Sequence, residues 1–343
     1  MRRSHYNFSR REAAEWVIIM KVALLINREN MEKYSNPTHI SREWELIHLG
    51  NGAPDPEKVI ATNADVIVVD SMLEIGADII GNMPNLKLIQ AQGVGFNKID
   101  LAAAAKAGVY VCNCAGSNAR PVAEQALMLM MILLRSFRAN EDAMYAGRQQ
   151  EIKNACFAGS PKELGMCTVG IVGFGAVGNA LANMLAAMGS RIYWYDTVWR
   201  EHPHAEYMPM NKIFSTCDVV SLHVPVVPAT VNMINDESLA RFKDGSILIN
   251  TSRGELVDND AVVRALKSGK LAGFGADTVA PEPVLADNPL LAQLTPDLRA
   301  KVALSPHIAG LTAGSFNRTY ITVWSNVALI AKGERPGNVV NQL

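Results

Sequence analysis

The chain has 343 residues, a formal net charge of −1, 49% hydrophobic residues and 19% charged residues. The length suits two domains, and the apolar content is sufficient for two cores and too high for a disordered chain. The balanced charge excludes a basic nucleic-acid-binding stripe or a polybasic membrane surface, and no apolar run approaches the ~18 residues of a membrane-spanning helix.

The first 19 residues precede the apolar pattern that starts at Met20. Their four arginines are typical of a transit peptide, but Glu12 and Glu15 disfavour that class, because such peptides avoid acidic residues. We therefore expect residues 1–19 to be a flexible N-terminal extension, and the fold to begin at Met20.

Short runs rich in Val and Ile alternate with helical patterns along the rest of the chain. Strands are predicted over residues 22–27, 66–70, 86–92 and 109–113, and in a second series over 167–172, 191–195, 219–223, 246–250, 273–277 and 302–305. These runs are continuously apolar, as in strands covered by helices on both faces. The pattern predicts two doubly wound parallel-sheet α/β domains, Rossmann-like or flavodoxin-like, with a cleft between them.

A long helix is predicted over residues 122–148, followed by a loop over residues 155–164. A last helix is predicted over residues 312–332, where Gly333 and Pro336 are stop signals. We expect this last helix to return to the first domain. The predicted division is one domain of residues 20–121 with 307–343, and an inserted domain of residues 122–306.

The five cysteines are odd in number and scattered, so a disulfide framework is not expected. Reduced thiols fit the cytosol. Cys112 and Cys114 form a C-x-C pair without a second ligand pair, which favours buried strand cysteines over a metal site. No metal is predicted.

A glycine fingerprint, Gly173-Phe-Gly175-Ala-Val-Gly178, follows a strand and opens a helix. Gly173 permits the tight turn, Gly175 lets backbone approach a pyrophosphate, and Gly178 lets helix and strand pack closely. The helix start, including Ala176 and Val177, offers free N–H groups to phosphates. The spacing predicts a dinucleotide site.

Asp196 ends the next predicted strand, 18 residues after Gly178. A carboxylate at this distance accepts hydrogen bonds from the adenosine ribose. Because it would repel a 2′-phosphate, the residue favours NAD over NADP, although Arg200 lies nearby in the sequence and leaves the choice open.

The second half of the chain carries further motifs in a characteristic order. They are Asn250-Thr-Ser-Arg253-Gly, Glu282-Pro283 and Ser305-Pro-His307-Ile-Ala-Gly310. In combination they resemble the D-isomer-specific 2-hydroxyacid dehydrogenase family over residues 20–343. The resemblance implies an NAD-dependent oxidoreductase that moves a hydride between nicotinamide and C2 of a small 2-keto or 2-hydroxy acid.

The resemblance also implies roles for three residues. Arg253 would bind the substrate carboxylate and polarise the C2 carbonyl, which suits the planar fork of a guanidinium. His307 would be the general acid/base, and Glu282 its carboxylate partner, which fixes the imidazole tautomer.

Five other positions are implied with less specific signals. Val94 and Gly95 would bind the substrate carboxylate through backbone N–H groups. Asp277 would hold the nicotinamide carboxamide or its ribose, His223 would line the adenine side, and Thr251 would contact the nicotinamide region through its backbone. Structural alternatives remain for each: a glycine turn, a turn acid, or a structural histidine.

Other functions on the same fold stay open. A formate dehydrogenase would carry glutamine at position 282, and a phosphite dehydrogenase a lysine near Gly93; neither is present. Many relatives carry a basic residue where Ala176 stands, which bears on pyrophosphate affinity. An NAD-sensing scaffold of corepressor type and another Rossmann enzyme such as alanine dehydrogenase are the remaining alternatives.

The family resemblance further implies a homodimer formed through the interdomain helix and its neighbours. With no nucleic acid or membrane partner indicated, we expect a cytoplasmic enzyme whose partner is a small keto or hydroxy acid. The residues do not specify which acid.

Overall fold

The computed structural model describes residues 20–159 and 161–343, so the extension predicted for residues 1–19 lies outside the described residues. The chain divides into two compact units. One runs to Ser117 and resumes at Ala313, and the other spans Asn118–Thr312. Residues 307–312, including His307, therefore belong to the second unit, whereas the sequence-based division placed them in the first.

The first unit contains a five-stranded sheet. Its strands are β1 (Met20–Leu25), β2 (Trp44–His48), β3 (Val66–Asp70), β4 (Leu88–Gln92) and β5 (Tyr110–Cys112). All pairings are parallel, in the order β2-β1-β3-β4-β5, which is the flavodoxin-like doubly wound order. The order reverses between β1 and β3, where such folds place a ligand crevice beyond the strand ends.

Helices cover both faces of this sheet. They are α1 (Arg28–Tyr34), α2 (Pro56–Ala61), α3 (Ala77–Gly81), α4 (Leu101–Ala107) and the C-terminal helix Ala313–Ala331, with a 3₁₀ turn at Pro37–His39. The C-terminal helix buries Tyr320 and Trp324 in one core with Val22 and Leu24 of β1. The last predicted helix thus packs on the first sheet.

The second unit contains a seven-stranded parallel sheet. Its strands are β6 (Thr168–Val172), β7 (Arg191–Tyr195), β8 (Glu206–Tyr207), β9 (Val219–Leu222), β10 (Ser246–Asn250), β11 (Leu271–Ala276) and β12 (Val302–Leu304). The order is β12-β11-β10-β9-β6-β7-β8, which is the Rossmann order extended by one strand. The prediction of two doubly wound parallel-sheet domains is confirmed.

The second unit also contains a set of helices, most of which pack on this sheet or on its helical layers. They are α5 (Ala119–Leu134), α6 (Phe137–Tyr145), α7 (Gln149–Gly159), α8 (Ala176–Ala187), α9 (Met210–Thr216), α10 (Asp236–Ala240), α11 (Asn259–Ser268), α12 (Pro289–Ala292) and α13 (Pro296–Arg299), which makes the C-terminal helix α14. Short 3₁₀ helices lie at Leu164–Met166 and Gly254–Leu256. In the described ranges, no helix is both long and apolar enough to cross a membrane.

The prediction of one helix over residues 122–148 is wrong. Ser136 adopts a left-handed conformation with φ 46° and ψ 40°, which separates α5 from α6. The side chain of Asn140 donates to the carbonyl of Arg135, so the interrupted backbone keeps a partner. The prediction of a loop over residues 155–164 is also wrong for its first half, because residues 155–159 belong to α7.

Candidate active site

The glycine fingerprint forms the turn between β6 and α8. Gly173 has φ 95°, and a Cβ there would lie 2.4 Å from the carbonyl oxygen of His223. A Cβ on Gly178 would lie 2.3 Å from the carbonyl oxygen of Gly173. Only glycine therefore permits this close approach of turn, helix and neighbouring strand.

Gly175 differs from the other two glycines because space is open beside it. A Cβ there would meet no heavy atom within 4 Å, and the residue caps α8 without any side-chain hydrogen bond. The first N–H groups of α8, at Ala176 and Val177, point out of the helix end together with its partial positive charge. This cradle fits the pyrophosphate of a dinucleotide.

Asp196 follows β7 and holds the glycine turn. One of its carboxylate oxygens accepts the N–H of Phe174 at 2.7 Å, and the other accepts the N–H of Val198 at 3.0 Å. Burial alone would raise the pKa of Asp196, but these backbone hydrogen bonds outweigh it and lower the pKa. The side chain is therefore a charged acceptor beside the fingerprint, as a ribose-binding carboxylate requires.

His223 follows β9, which neighbours β6 in the sheet. Its Nε2 lies 2.9 Å from the hydroxyl of Ser221. Burial lowers the pKa of His223 to about 4, so the imidazole is neutral at neutral pH. A neutral ring beside the switch point between β6 and β9 suits a wall of a nucleotide site and not an acid/base group.

Arg253 follows β10 on a turn that Asn250 stabilises. The Asn250 side chain accepts the N–H of Ser252 at 3.1 Å and donates to the carbonyl of Arg253 at 2.7 Å. The hydroxyl of Thr251 in the same turn is buried and has no partner among the described residues. An unmade hydrogen bond of this kind costs roughly 1–3 kcal/mol, so a bound ligand that satisfied it would be stabilised.

Glu282 and His307 meet directly. The Nδ1 of His307 lies 2.9 Å from Oε2 of Glu282, and the two side chains are 41% and 34% exposed. Bonding at Nδ1 leaves Nε2 of the imidazole as the atom that can exchange a proton with a substrate. The pair is thus arranged as an acid/base group with its orienting carboxylate.

Asp277 is buried at the end of β11 and holds the segment that carries His307. Its carboxylate accepts the hydroxyl of Ser305 and the N–H groups of Ile308 and Ala309, and its carbonyl accepts the N–H of His307. His307 itself has φ 56°, a left-handed conformation that is rare outside glycine. The carboxylate is therefore occupied by this segment, and its predicted contact with nicotinamide stays a prediction.

The three catalytic candidates follow neighbouring strands of one sheet. Arg253 follows β10, Glu282 follows β11 and His307 follows β12, and these strands lie side by side with parallel register. In open α/β sheets, ligands bind beyond the carboxyl ends of strands. A guanidinium and a carboxylate-supported imidazole at this edge can bind an acid and transfer a proton to or from a neighbouring oxygen.

Val94 and Gly95 lie in the first unit, after β4. The carbonyl of Val94 accepts the side-chain amide of Asn113 at 2.8 Å, and the carbonyl of Gly93 accepts the N–H of Cys114 at 2.7 Å. Within residues 20–159 and 161–343, the N–H groups of Val94 and Gly95 have no acceptor. They are free to bind an anion at this strand end.

Several residues that organise the site belong to no recognisable sequence motif. Asn113 holds the Val94 turn, Gln125 donates to Ser305 at 2.8 Å, and Asn259 and Asn288 hold the backbone before Glu282. Each is an amide whose partner lies outside its own helix or strand, between 8 and 180 positions away in the chain. A single sequence carries no signal for such pairings.

The chain is similar in sequence to known proteins. Residues 127–309 match the profile of the NAD binding domain of D-isomer specific 2-hydroxyacid dehydrogenases. The chain is 33% identical to a glyoxylate reductase of Korarchaeum cryptofilum over 330 residues, which covers 94% of this chain and 97% of the relative. It is also 33% identical to a hydroxypyruvate reductase of Thermotoga maritima over 305 residues, 87% of this chain and 90% of that one.

The fold is similar to that of solved structures over almost the whole chain. A D-isomer specific 2-hydroxyacid dehydrogenase from Lactobacillus delbrueckii ssp. bulgaricus, solved in its NAD-complexed form, superposes with a TM-score of 0.79 at 26% identity. The match covers 93% of this chain and 99% of that protein.

Proposed function

This chain belongs to the D-isomer specific 2-hydroxyacid dehydrogenase family, and we propose that it reduces a small 2-keto acid to the D-2-hydroxy acid with NADH, reversibly. The single observation that carries the proposal is the 2.9 Å contact between His307 Nδ1 and Glu282 Oε2 on strand ends next to that of Arg253. Such a pair serves proton transfer.

The residues around the fingerprint fit NAD. Gly175 leaves room for the pyrophosphate, the start of α8 supplies unpaired N–H groups, and Asp196 is a charged acceptor for ribose hydroxyls. The unpartnered hydroxyl of Thr251 is a further candidate contact. When bound, NADH supplies the hydride that adds to C2 of the keto acid.

The protein's own residues would bind the substrate and transfer the proton. Arg253 binds the substrate carboxylate through its fork and polarises the C2 carbonyl. In the first unit, the free N–H groups of Val94 and Gly95 are donors that a carboxylate can accept. His307 gives the proton on Nε2 to the carbonyl oxygen during reduction and takes it back during oxidation. Glu282 holds the imidazole in the required tautomer and orientation.

Glyoxylate and hydroxypyruvate are the first substrates to test, because relatives that share a third of their residues with this chain carry those names. The experiment follows NADH oxidation by the purified protein with glyoxylate, hydroxypyruvate, pyruvate and bulkier keto acids, and repeats the series with NADPH. The product of the best substrate is resolved on a chiral column. We expect turnover with at least one keto acid, a preference for NADH, and a D product.

Other outcomes would favour the alternative functions. Reduction of NAD by formate, without keto acid turnover, would indicate a formate dehydrogenase, although the acid at Glu282 disfavours this. Tight NADH binding without turnover of any acid would favour an NAD-sensing scaffold. An L product would contradict the proposed stereochemistry while leaving the reaction class in place.

We also propose that the protein is a homodimer. Large apolar side chains on α5, α6 and α7 are exposed, namely Met131, Phe137, Met144, Tyr145 and Phe157. An exposed apolar surface of this extent on successive helices is typical of an interface. Light scattering should give twice the mass of the chain, and Phe137→Glu with Met144→Glu should give the monomer. Val231→Glu, at an exposed apolar position elsewhere, should leave the mass unchanged.

We also propose that the protein is cytoplasmic. All five cysteines are unpaired, and burial raises the pKa of Cys112, Cys114 and Cys217 to about 12. These thiols are therefore inert structural groups. Fractionation of the source cells with an antibody to the protein would test the location.

A further inference from the structure

We infer that Asn259 and Asn288 are positioning residues for Glu282, and that they act by clamping the carbonyl of Ala280. The inference rests on the proposed function, since Glu282 is assigned there as the partner of His307. It concerns two amides that both donate to the backbone of the loop that carries the carboxylate.

Glu282 lies in an exposed loop. All residues from 281 to 287 are exposed, whereas Asn288 is buried at the end of the loop. Exposed loops are the mobile parts of a fold unless their backbone is anchored. The contact of Glu282 with His307 is itself partly exposed, and one exposed side-chain contact is too weak to hold a loop by itself.

The Ala280 carbonyl closes the base of this loop. The side-chain amide of Asn288 donates to it at 3.0 Å across the loop, and that of Asn259, from the start of α11, donates to it at 2.8 Å. One oxygen thus ties together both ends of the loop and a neighbouring helix. Gly254 packs against the same backbone, because a Cβ there would lie 2.2 Å from the Ala280 nitrogen.

The amide of Asn259 has no other structural use in the helix that carries it. Asp258 already caps α11, accepting the N–H of Ala261 at 3.1 Å. Asn259 is therefore not needed as a cap, and its only side-chain hydrogen bond among the described residues goes to Ala280.

Asn288 has two separable functions. Its oxygen accepts the N–H of Leu290 at 3.1 Å and caps α12, while its nitrogen bonds to Ala280. Serine at position 288 keeps a capping oxygen but is too short to reach the carbonyl. The variant Asn288→Ser therefore removes the clamp and retains the cap.

The test uses the double variant Asn259→Ala/Asn288→Ser in the full-length holoenzyme. We expect kcat with the best keto acid to fall about tenfold to hundredfold, because a displacement near 1 Å at a catalytic group has effects of that size. NADH affinity by fluorescence titration and the midpoint of thermal unfolding should stay close to those of the wild type. The matched control is Asn235→Ser, which removes an amide bond to the Asn232 carbonyl while keeping the cap of α10.

A double-mutant cycle separates positioning from general stability. We call the double variant Asn259→Ala/Asn288→Ser the clamp variant. In a Glu282→Gln background it should cause no further loss of kcat, because the carboxylate that Asn259 and Asn288 position is already gone. A full further loss in that background would overturn the inference, as would an unchanged kcat of the clamp variant in the wild-type background.

A crystal structure of the clamp variant with NADH tests the positioning role of Asn259 and Asn288 even if no substrate is found. The inference predicts that Glu282 Oε2 leaves hydrogen-bonding distance of His307 Nδ1. If the 2.9 Å contact persists, the inference is wrong. If the wild-type protein turns over no keto acid while the contact in the variant is lost, the proposed function fails and the positioning role stands.

Discussion

Nδ1 of His307 lies 2.9 Å from Oε2 of Glu282, although 25 positions separate the two residues in the chain. The contact exists because β11 and β12 are neighbouring parallel strands that end at the same edge. Asp277 then holds the backbone of His307 in its left-handed conformation. The geometry of the pair thus depends on backbone hydrogen bonds in both loops more than on the attraction between the two side chains.

The second and third glycines of the fingerprint should respond differently to substitution by alanine. Gly178→Ala should destabilise the protein by about 1–3 kcal/mol, because the added Cβ would overlap the Gly173 carbonyl. Gly175→Ala should leave stability almost unchanged but weaken NADH binding more than about tenfold, because the open space beside it is where backbone approaches pyrophosphate. Urea unfolding and fluorescence titration measure the two effects. Wild-type NADH affinity in Gly175→Ala would contradict this placement of the cofactor.

Arg253→Lys should damage substrate use and spare the cofactor. Lysine keeps the charge but not the planar fork, and each hydrogen bond to a charged group contributes roughly 1.5–3 kcal/mol. We therefore expect kcat/KM for the keto acid to fall about tenfold to hundredfold, with NADH affinity unchanged. Steady-state kinetics and a binding titration check this. If NADH binding weakens as much as kcat/KM, the residue has a role in the fold or the cofactor site instead.

Lowering the pH should reduce the free energy of unfolding through protonation of Asp218. Burial alone would raise the pKa of this carboxyl, but hydrogen bonds from the Thr168 N–H and from the ammonium groups of Lys162 and Lys243 outweigh it and lower the pKa to about 2. A depressed pKa contributes stability above the ordinary value of 3.8, and this stability is lost as the pH falls toward 2. Asp218→Asn should therefore cost about 2 kcal/mol at pH 7 and progressively less at lower pH.

Urea unfolding at neutral and acidic pH measures this effect. Asp244→Asn is the matched control, because Asp244 also pairs with a lysine but its side chain is 90% exposed, against 13% for Asp218. The control should change the free energy of unfolding by less than about 1 kcal/mol. Equal effects of the two substitutions at neutral pH would contradict the assignment.

The sequence predicts most strands well because continuous Val and Ile runs are unambiguous in doubly wound sheets. Residues 66–70, 191–195 and 246–250 are predicted with the observed bounds. The two strands that were missed, β2 and β8, lie at sheet edges. Every residue of β2 is half-buried and β8 has two residues, so neither shows the apolar run that the prediction requires.

Two features of the structure cannot be predicted from one sequence: the break between α5 and α6, and the tertiary hydrogen bonds of the site. Ser136 ends α5 without glycine or proline, so the helical pattern continues in the sequence where the backbone turns. The order of Arg253, Glu282 and His307 is readable from motifs, whereas the contacts of Asn259 and Asn288 with one carbonyl arise only from the folded path of the loop and its packing on α11.

The most direct test of the account is the turnover of His307→Gln, assayed with NADH and the best keto acid. Glutamine keeps a polar side chain but cannot donate a proton as imidazolium does. We predict that kcat falls by about 10²–10⁴, the usual contribution of a general acid/base, while NADH affinity is retained. Near-normal turnover in this variant would contradict the assignment of His307 and with it the proposed mechanism.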